Sequence, residues 1–70
     1  MKRFKHYLEA LEYAIDEANK YQIDYGIRRR QEYNRDGFNV FMLPREDQTF
    51  GDDLMAERVK PGTPKAGKAA

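Results

Sequence analysis

The 70-residue chain contains no cysteine and no serine, and it has a single histidine. Without cysteine, neither a disulfide framework nor a thiolate metal site is available. His6 has no cysteine or serine nucleophile to activate and no second base with which to form a triad, so the roles of a hydrolytic site cannot be filled. We therefore expect a protein that is not an enzyme, with no cofactor, no metal site and no small-molecule substrate.

Long apolar runs are also missing from the sequence. No run approaches the roughly 20 residues that a helix needs to cross a bilayer, and the amino-terminal region lacks the uninterrupted apolar core of a signal peptide. A hydrophobic fraction of 40% beside 36% charged residues is typical of a soluble globular chain. We expect no membrane partner and a cytoplasmic location.

The short length limits the core. Seventy residues form at most one domain, with roughly 3–5 kcal/mol of net stabilisation from its core. Residues 1–59 carry ten Lys and Arg against twelve Asp and Glu, whereas residues 60–70 carry lysines and no acid. The sequence therefore predicts one domain over residues 1–59 and a disordered basic tail over residues 60–70.

Apolar residues recur at steps of four and three near the amino terminus, which predicts an amphipathic helix with its stripe at Phe4, Leu8, Leu11, Ile15 and Ala18. Lys2, Arg3 and Lys5 are unfavourable near the positive end of a helix dipole. We therefore expect the helix to begin near His6, with Glu9 in capping-box position, and the first few residues to be extended or frayed.

The helical period then gives way to alternation, which is typical of a half-buried strand over residues 22–33. Asp-Gly at positions 36 and 37 predicts a hairpin turn within residues 34–37, and residues 38–43 form the return strand before Pro44. A turn of two or four residues gives the same parity. It places on the helix side a row composed of Ile23, Tyr25, Ile27, Tyr33, Phe38, Val40 and Met42.

Residues 53–59 allow two interpretations. Asp52 or Asp53 can cap a short helix, or Met55, Glu57 and Val59 can alternate as an edge strand. A two-stranded sheet is marginal alone, which favours the strand. The predicted fold is α+β: one amino-terminal amphipathic helix on a small antiparallel β-hairpin or sheet, with a short third strand or helix.

On the same parity, Phe41 and Leu43 lie beside Asn39 on the face of the sheet that the helix does not cover. No second helix is long enough to cover them, although the third element or a second copy of the chain is an alternative. An apolar patch left open on a small protein usually marks an interface. We therefore predict that Phe41, Leu43 and Asn39 bind a protein partner or form a homo-oligomer.

Arg28 and Arg30 share this face with Phe41, which gives a second hypothesis. Arginine beside an aromatic residue on a sheet is typical of proteins that bind single-stranded nucleic acid. The tail would add phosphate contacts through Lys60, Lys65 and Lys68. Against this hypothesis, the body has no positive excess, and the two arginines can instead pair across the strands or with Glu57 and Asp24.

The succession of "EALEYAIDEAN", "DYGI", "FNVFMLP" and "FGDDLMAERV" resembles short uncharacterised phage proteins of the gokushovirus type within the Microviridae. The resemblance covers residues 1 to about 60, and the lysine-rich tail departs from it. It implies a helix, a strand, an aromatic hairpin that ends in Leu-Pro, and a final short strand. It also implies a viral accessory role in the cytoplasm of a bacterial host, and it carries no catalytic residues.

Overall fold

The computed structural model describes residues 1–32 and 35–65. These residues form one helix and a four-stranded antiparallel sheet, so the predicted α+β fold is confirmed. Two 3₁₀ turns, Glu46–Gln48 and Gly51–Met55, lie between the third and fourth strands. The sheet has the order β1-β3-β2-β4, and the elements are β1 (Lys2–Phe4), α1 (Tyr7–Tyr21), β2 (Tyr25–Glu32), β3 (Arg35–Met42) and β4 (Glu57–Val59).

Helix α1 begins after His6, as the basic residues before it predict. His6 is extended, with φ −116°, and its side chain makes no capping hydrogen bond. The helix ends at Gln22, which adopts the left-handed conformation with φ 56°. The Gln22 side chain donates a 2.6 Å hydrogen bond from Nε2 to the Asn19 carbonyl, which satisfies one of the last helical acceptors.

The buried face of α1 differs from the predicted stripe. Phe4 lies in β1, and Leu8 is 63% exposed. The predicted Ile15 and Ala18 are buried, and Ala10 and Ala14 are fully buried beside them. Residues 8 and 10 are two apart on the helix and point in nearly opposite directions, so Leu8 faces away from the sheet. The small alanines let the helix approach closely, and the bulk of the core comes from Ile15, Tyr25, Ile27, Val40 and Val59.

The first residues form a strand, which is the extended one of the two conformations expected for them. Lys2 pairs with Val40 and Phe4 with Phe38 along the outer edge of β3. The Phe4 ring lies 5.2 Å from the Tyr13 ring of α1. Pairing therefore satisfies the backbone of the β3 edge and places an aromatic side chain against the helix.

The hairpin turn is displaced from its predicted position. Asp36 and Gly37 lie within β3, and Glu32 pairs with Arg35, so only positions 33 and 34 separate the two strands. These two residues, including the predicted core residue Tyr33, lie outside the described part of the chain. The separation is still an even number, so Ile27 and Val40 share the helix side, as predicted, and they are direct strand partners.

The third element combines both interpretations. The 3₁₀ turn Gly51–Met55 comes first, and β4 then pairs with the edge of β2, with Val59 opposite Tyr25. The preference for a strand is thus confirmed for the last three residues, while a helical turn occupies the residues before them. With β4 added to the hairpin of β2 and β3, the sheet has the three or more strands that a sheet needs to be stable on its own.

Residues 60–65 pack against α1, in contrast to the disorder expected from Lys60 onward. The Gly62 N–H donates a 2.6 Å hydrogen bond to Asn19 Oδ1, and Lys65 Nζ lies 2.9 Å from Asp16 Oδ1. Residues 66–70 lie outside the described chain. Among the described residues, no helix has the length and apolar character needed to span a membrane.

Candidate interaction surfaces

The face of the sheet opposite α1, here called the reverse face, has two halves. Near the start of β2, Gly26 pairs with Phe41. Toward the hairpin turn, Arg28 pairs with Asn39 and Arg30 pairs with Gly37. The first half is apolar and the second half is cationic, and the chain covers the two halves to different extents.

The apolar half is covered by residues 44–56, which we call the covering segment. Leu43 is 5% exposed and Phe41 is half-buried. A Cβ atom on Gly26 would lie 3.0 Å from two Phe41 ring atoms and 3.3 Å from the Ala56 Cβ. Leu43 is therefore buried and Phe41 is half-buried within one copy, which corrects the expected open patch and agrees with the alternative that the third element packs on this face.

Arg58 of β4 anchors the covering segment. Its Nη1 donates to Asp24 Oδ2 at 2.5 Å and to the Pro44 carbonyl at 2.8 Å, and its Nη2 donates to Thr49 Oγ1 at 2.6 Å. The Arg58 side chain is 16% exposed, and the Thr49 residue is 6% exposed. Hydrogen bonds to an ionised group that is shielded from water are strong, so they hold a segment that has no regular ladder of its own.

The acidic partners predicted for Arg28 and Arg30 are used elsewhere. Asp24 binds Arg58, and Glu57 accepts hydrogen bonds of 2.6 and 2.8 Å from the Tyr7 hydroxyl. Arg28 Nη2 instead lies 3.7 Å from Asp52 of the covering segment. Sequence parity places residues on a face, but it does not determine which carboxylate reaches which guanidinium.

The Tyr7 hydroxyl connects the start of α1 to edge strand β4. The centroid of the Tyr7 ring also lies 5.6 Å from the centroid of the Phe38 ring. Desolvation by burial, with the hydrogen bond to Glu57 and the negative charge of that carboxylate, raises the pKa of Tyr7 to about 12. The neutral phenol is therefore a part of the contact between α1 and β4.

The outer side of the covering segment carries three exposed apolar residues, which we call the exposed apolar triad. Phe50 is 75% exposed, Leu54 66% and Met55 81%. The sequence analysis does not predict them as a surface, because it interprets "FGDDLM" as a helix cap or as part of an edge strand. Three large apolar side chains within six residues, among acids and away from any predicted core, were the available signal.

An open cleft of about 860 Å³ lies at the end of the sheet near the start of β2. Its apolar lining is Ile23, Met42, Leu43 and Pro44, and its rim includes Lys60 and other polar residues. Met42 is 66% exposed and Ile23 is 38% exposed, although both were expected in the core row under the helix. They lie beyond the end of α1, so the helix does not reach them.

The cationic half of the reverse face contains two more arginines than the sequence predicts, Arg3 and Arg35, and Arg35 lies opposite Glu32. Arg3 pairs with Asn39 from the other side, so it joins Arg28 and Arg30 on this face. A Cβ atom on Gly37 would lie 2.8 Å from Arg3 Nε. The sequence analysis does not place Arg3 on this face, because it assigns no strand partner to the first residues.

The tail lysines do not lie with these arginines. Lys60 Nζ is 2.5 Å from Glu46, and this hydrogen bond and charge raise the pKa of the lysine. Lys65 is paired with Asp16 on α1. Lys68 lies outside the described residues. The lysines predicted to assist nucleic-acid binding are therefore in different surroundings from Arg28 and Arg30.

Within residues 1–32 and 35–65, no group of three or more His, Asp or Glu side chains is placed to hold a metal ion. Comparison with known proteins yields no matching family model, no matching curated protein and no matching solved structure.

Proposed function

We propose that this protein is a non-enzymatic protein-interaction module and that its first partner is a second copy of itself. The observation that carries the proposal is the exposed apolar triad, whose members Phe50, Leu54 and Met55 are each at least 66% exposed. Exposing three large apolar side chains together is unfavourable in water, and such patches on small proteins mark interfaces. The contact surface is therefore shifted from Phe41 and Leu43 to the outside of the segment that covers them.

The chain itself offers a surface of matching chemistry. The cleft at the end of the sheet is lined by the exposed apolar side chains of Met42 and Ile23 together with polar residues. The triad of one copy fits the chemistry of the cleft of another. Two such contacts related by a twofold axis close into a dimer and leave no open-ended surface.

A small core supports this proposal. With roughly 3–5 kcal/mol of net stabilisation and no cysteine for disulfides, association is the remaining common way for such a chain to gain stability. The resemblance to small phage proteins adds a second class of partner, a host or virion protein that presents a comparable apolar cleft.

Sedimentation velocity over a concentration series tests the proposal. We expect L54D on the triad and M42D in the cleft each to weaken self-association by about tenfold or more, because each places a charge in an apolar contact. L8D is the matched control, since Leu8 is 63% exposed on α1 and Leu54 is 66% exposed. L8D should associate as the parent does.

Mixing the two variants sharpens the test. A heterodimer of L54D with M42D retains one intact contact between triad and cleft, whereas each variant alone has no intact contact. The mixture should therefore associate more tightly than either variant alone. A parent that sediments as a monomer at high micromolar concentration, or an L8D variant that is as impaired as L54D, would contradict the proposal.

A further inference from the structure

Four arginines share the cationic half of the reverse face, where Asp52 of the covering segment lies beside Arg28. They come from three adjacent strands and are Arg3 of β1, Arg28 and Arg30 of β2, and Arg35 of β3. Neighbouring strands lie about 4.8 Å apart, so these positive charges fall within one small, flat area. This arginine face meets the covering segment at Asp52, which lies between Phe50 and Leu54 in the sequence.

Gly37 brings two of these arginines together. Its missing Cβ would lie 2.8 Å from Arg3 Nε and 3.0 Å from Arg3 Nη2, so the guanidinium group occupies the space of a side chain. Arg30 is the direct strand partner of Gly37. Two guanidinium groups are therefore placed on one patch, which raises its positive potential and favours a bound anion.

The Arg28 side chain makes an ion pair that a ligand can displace. Its Nη2 lies 3.7 Å from Asp52 Oδ2, and the Asp52 side chain is 87% exposed. An exposed pair at this distance contributes little to stability. The half-buried Arg28 can therefore exchange this carboxylate for a phosphate without loss of the fold.

We propose that the arginine face binds the phosphate backbone of single-stranded nucleic acid. Arg28 and Arg30 are two residues apart on a strand, about 6.6 Å, which is similar to the spacing of successive phosphates along an extended strand. Guanidinium groups bind phosphate oxygens in bidentate geometry. A flat row of such groups fits a linear polyanion.

Phe41 takes a minor part in this binding. Its ring is half-buried against Gly26 and Ala56, so it offers no open platform for a stacked base. Contacts to phosphate position a nucleic acid but read no sequence. Binding therefore depends strongly on salt and weakly on base sequence.

The overall acidity of the body does not oppose this assignment. The acids of α1 include Glu9, Glu12 and Asp16, and α1 packs on the opposite face of the sheet. On the arginine face, four arginines stand against two acids, Glu32 opposite Arg35 in the register and Asp52 beside Arg28, so the face keeps a positive excess although the net charge of the chain is only +1. The sum over residues 1–59 hides that separation.

Fluorescence anisotropy of a labelled single-stranded oligothymidine tests the proposal. Phosphate contacts from Arg3, Arg28 and Arg30 predict that log K falls with log salt with a slope of about −2. R3Q or R30Q should each reduce that slope by about 0.7. R45Q is the control, because it removes the same charge from a side chain that is 75% exposed beside Asp47. R45Q should leave the slope unchanged.

G37A provides a probe that keeps every charge. Gly37 does not adopt a left-handed backbone, and the new methyl group meets the flexible end of Arg3, so the fold should persist while that guanidinium moves. We expect severalfold weaker binding and an unchanged circular dichroism spectrum. M42D carries its new charge on the helix side of β3 by register, so it should bind the oligonucleotide as the parent does, which separates this proposal from self-association.

Three results would overturn the proposal. The first is the absence of any anisotropy change at low salt. The second is a loss of binding in R45Q equal to that in R3Q. The third is tighter binding to duplex DNA of the same length, or binding only to phosphatidylserine vesicles, which would assign the arginine face to another anionic surface.

Discussion

The two faces of the sheet are covered through different kinds of interaction. On one face, α1 lays its buried alanines against Tyr25, Ile27 and Val40, and the contact is almost entirely apolar. On the reverse face, an irregular segment is held by Arg58, which reaches Asp24, Pro44 and Thr49. One face relies on area removed from water, and the other relies on a few directed hydrogen bonds.

This difference explains where interaction surfaces are found. Helix α1 packs into the core on one face of the sheet. On the reverse face, the covering segment lies beside Gly26 through Ala56, and on the cationic half it contributes Asp52 beside Arg28. The rest of that face is cationic, and the outside of the segment is apolar. A short irregular segment has no second layer above it, so its outward side chains remain in water.

The largest expected effect comes from the helix side. I27A removes most of a side chain that is 4% exposed and should cost about 3–4 kcal/mol. That cost approaches the whole stability of a chain this small, so the variant should be largely unfolded without denaturant. I23A, at a position 38% exposed, is the control and should remain folded by far-ultraviolet circular dichroism.

An intermediate effect is expected from the anchor of the reverse face. R58Q removes the guanidinium while Asp24 stays partly shielded, at a cost of about 2–3 kcal/mol, which is below the range for a fully buried pair. Urea unfolding should show this loss. R45Q, on the exposed rim, should change the midpoint little, and an equal shift in the two variants would contradict the anchoring role of Arg58.

The smallest effect is a dependence on pH at the join between α1 and β4. The folded pKa of Tyr7, about 12, lies above its ordinary value of 10.0, so the hydroxyl contributes stability that is fully present below pH 10 and is lost as the pH rises toward 12. Y7F lacks this group. The difference in urea midpoint between parent and Y7F should shrink from pH 10 to pH 12, and a constant difference would contradict the contact.

The sequence predicts the elements better than their ends. Alternation and period identify α1, β2 and β3, and parity alone places Ile27 with Val40. The turn was misplaced because Asp-Gly is a local preference, whereas pairing of Arg35, Asp36 and Gly37 in β3 satisfies more of the backbone. The longer backbone pairing therefore outweighs the local preference of Asp-Gly for a turn.

The surfaces are harder to predict because they depend on contacts distant in the chain. Leu43 is buried through the path of the covering segment, and Arg3 reaches the reverse face only because β1 pairs with β3. Neither the burial of Leu43 nor the pairing of β1 produces a hydrophobic period that can be recognised in the sequence. The prediction that Arg28, Arg30 and Phe41 share one face is confirmed by the register, but the binding of any partner there stays a prediction.

Thiol labelling tests the closure of the reverse face most directly, since the chain has no cysteine of its own. Met42 is 66% exposed and its neighbour Leu43 is 5% exposed. At a dilution where the protein is monomeric, M42C should react as fast as a free thiol, and L43C should react about tenfold or more slowly. Equal rates at the two positions in the folded monomer would contradict the claim that the chain covers its own reverse face.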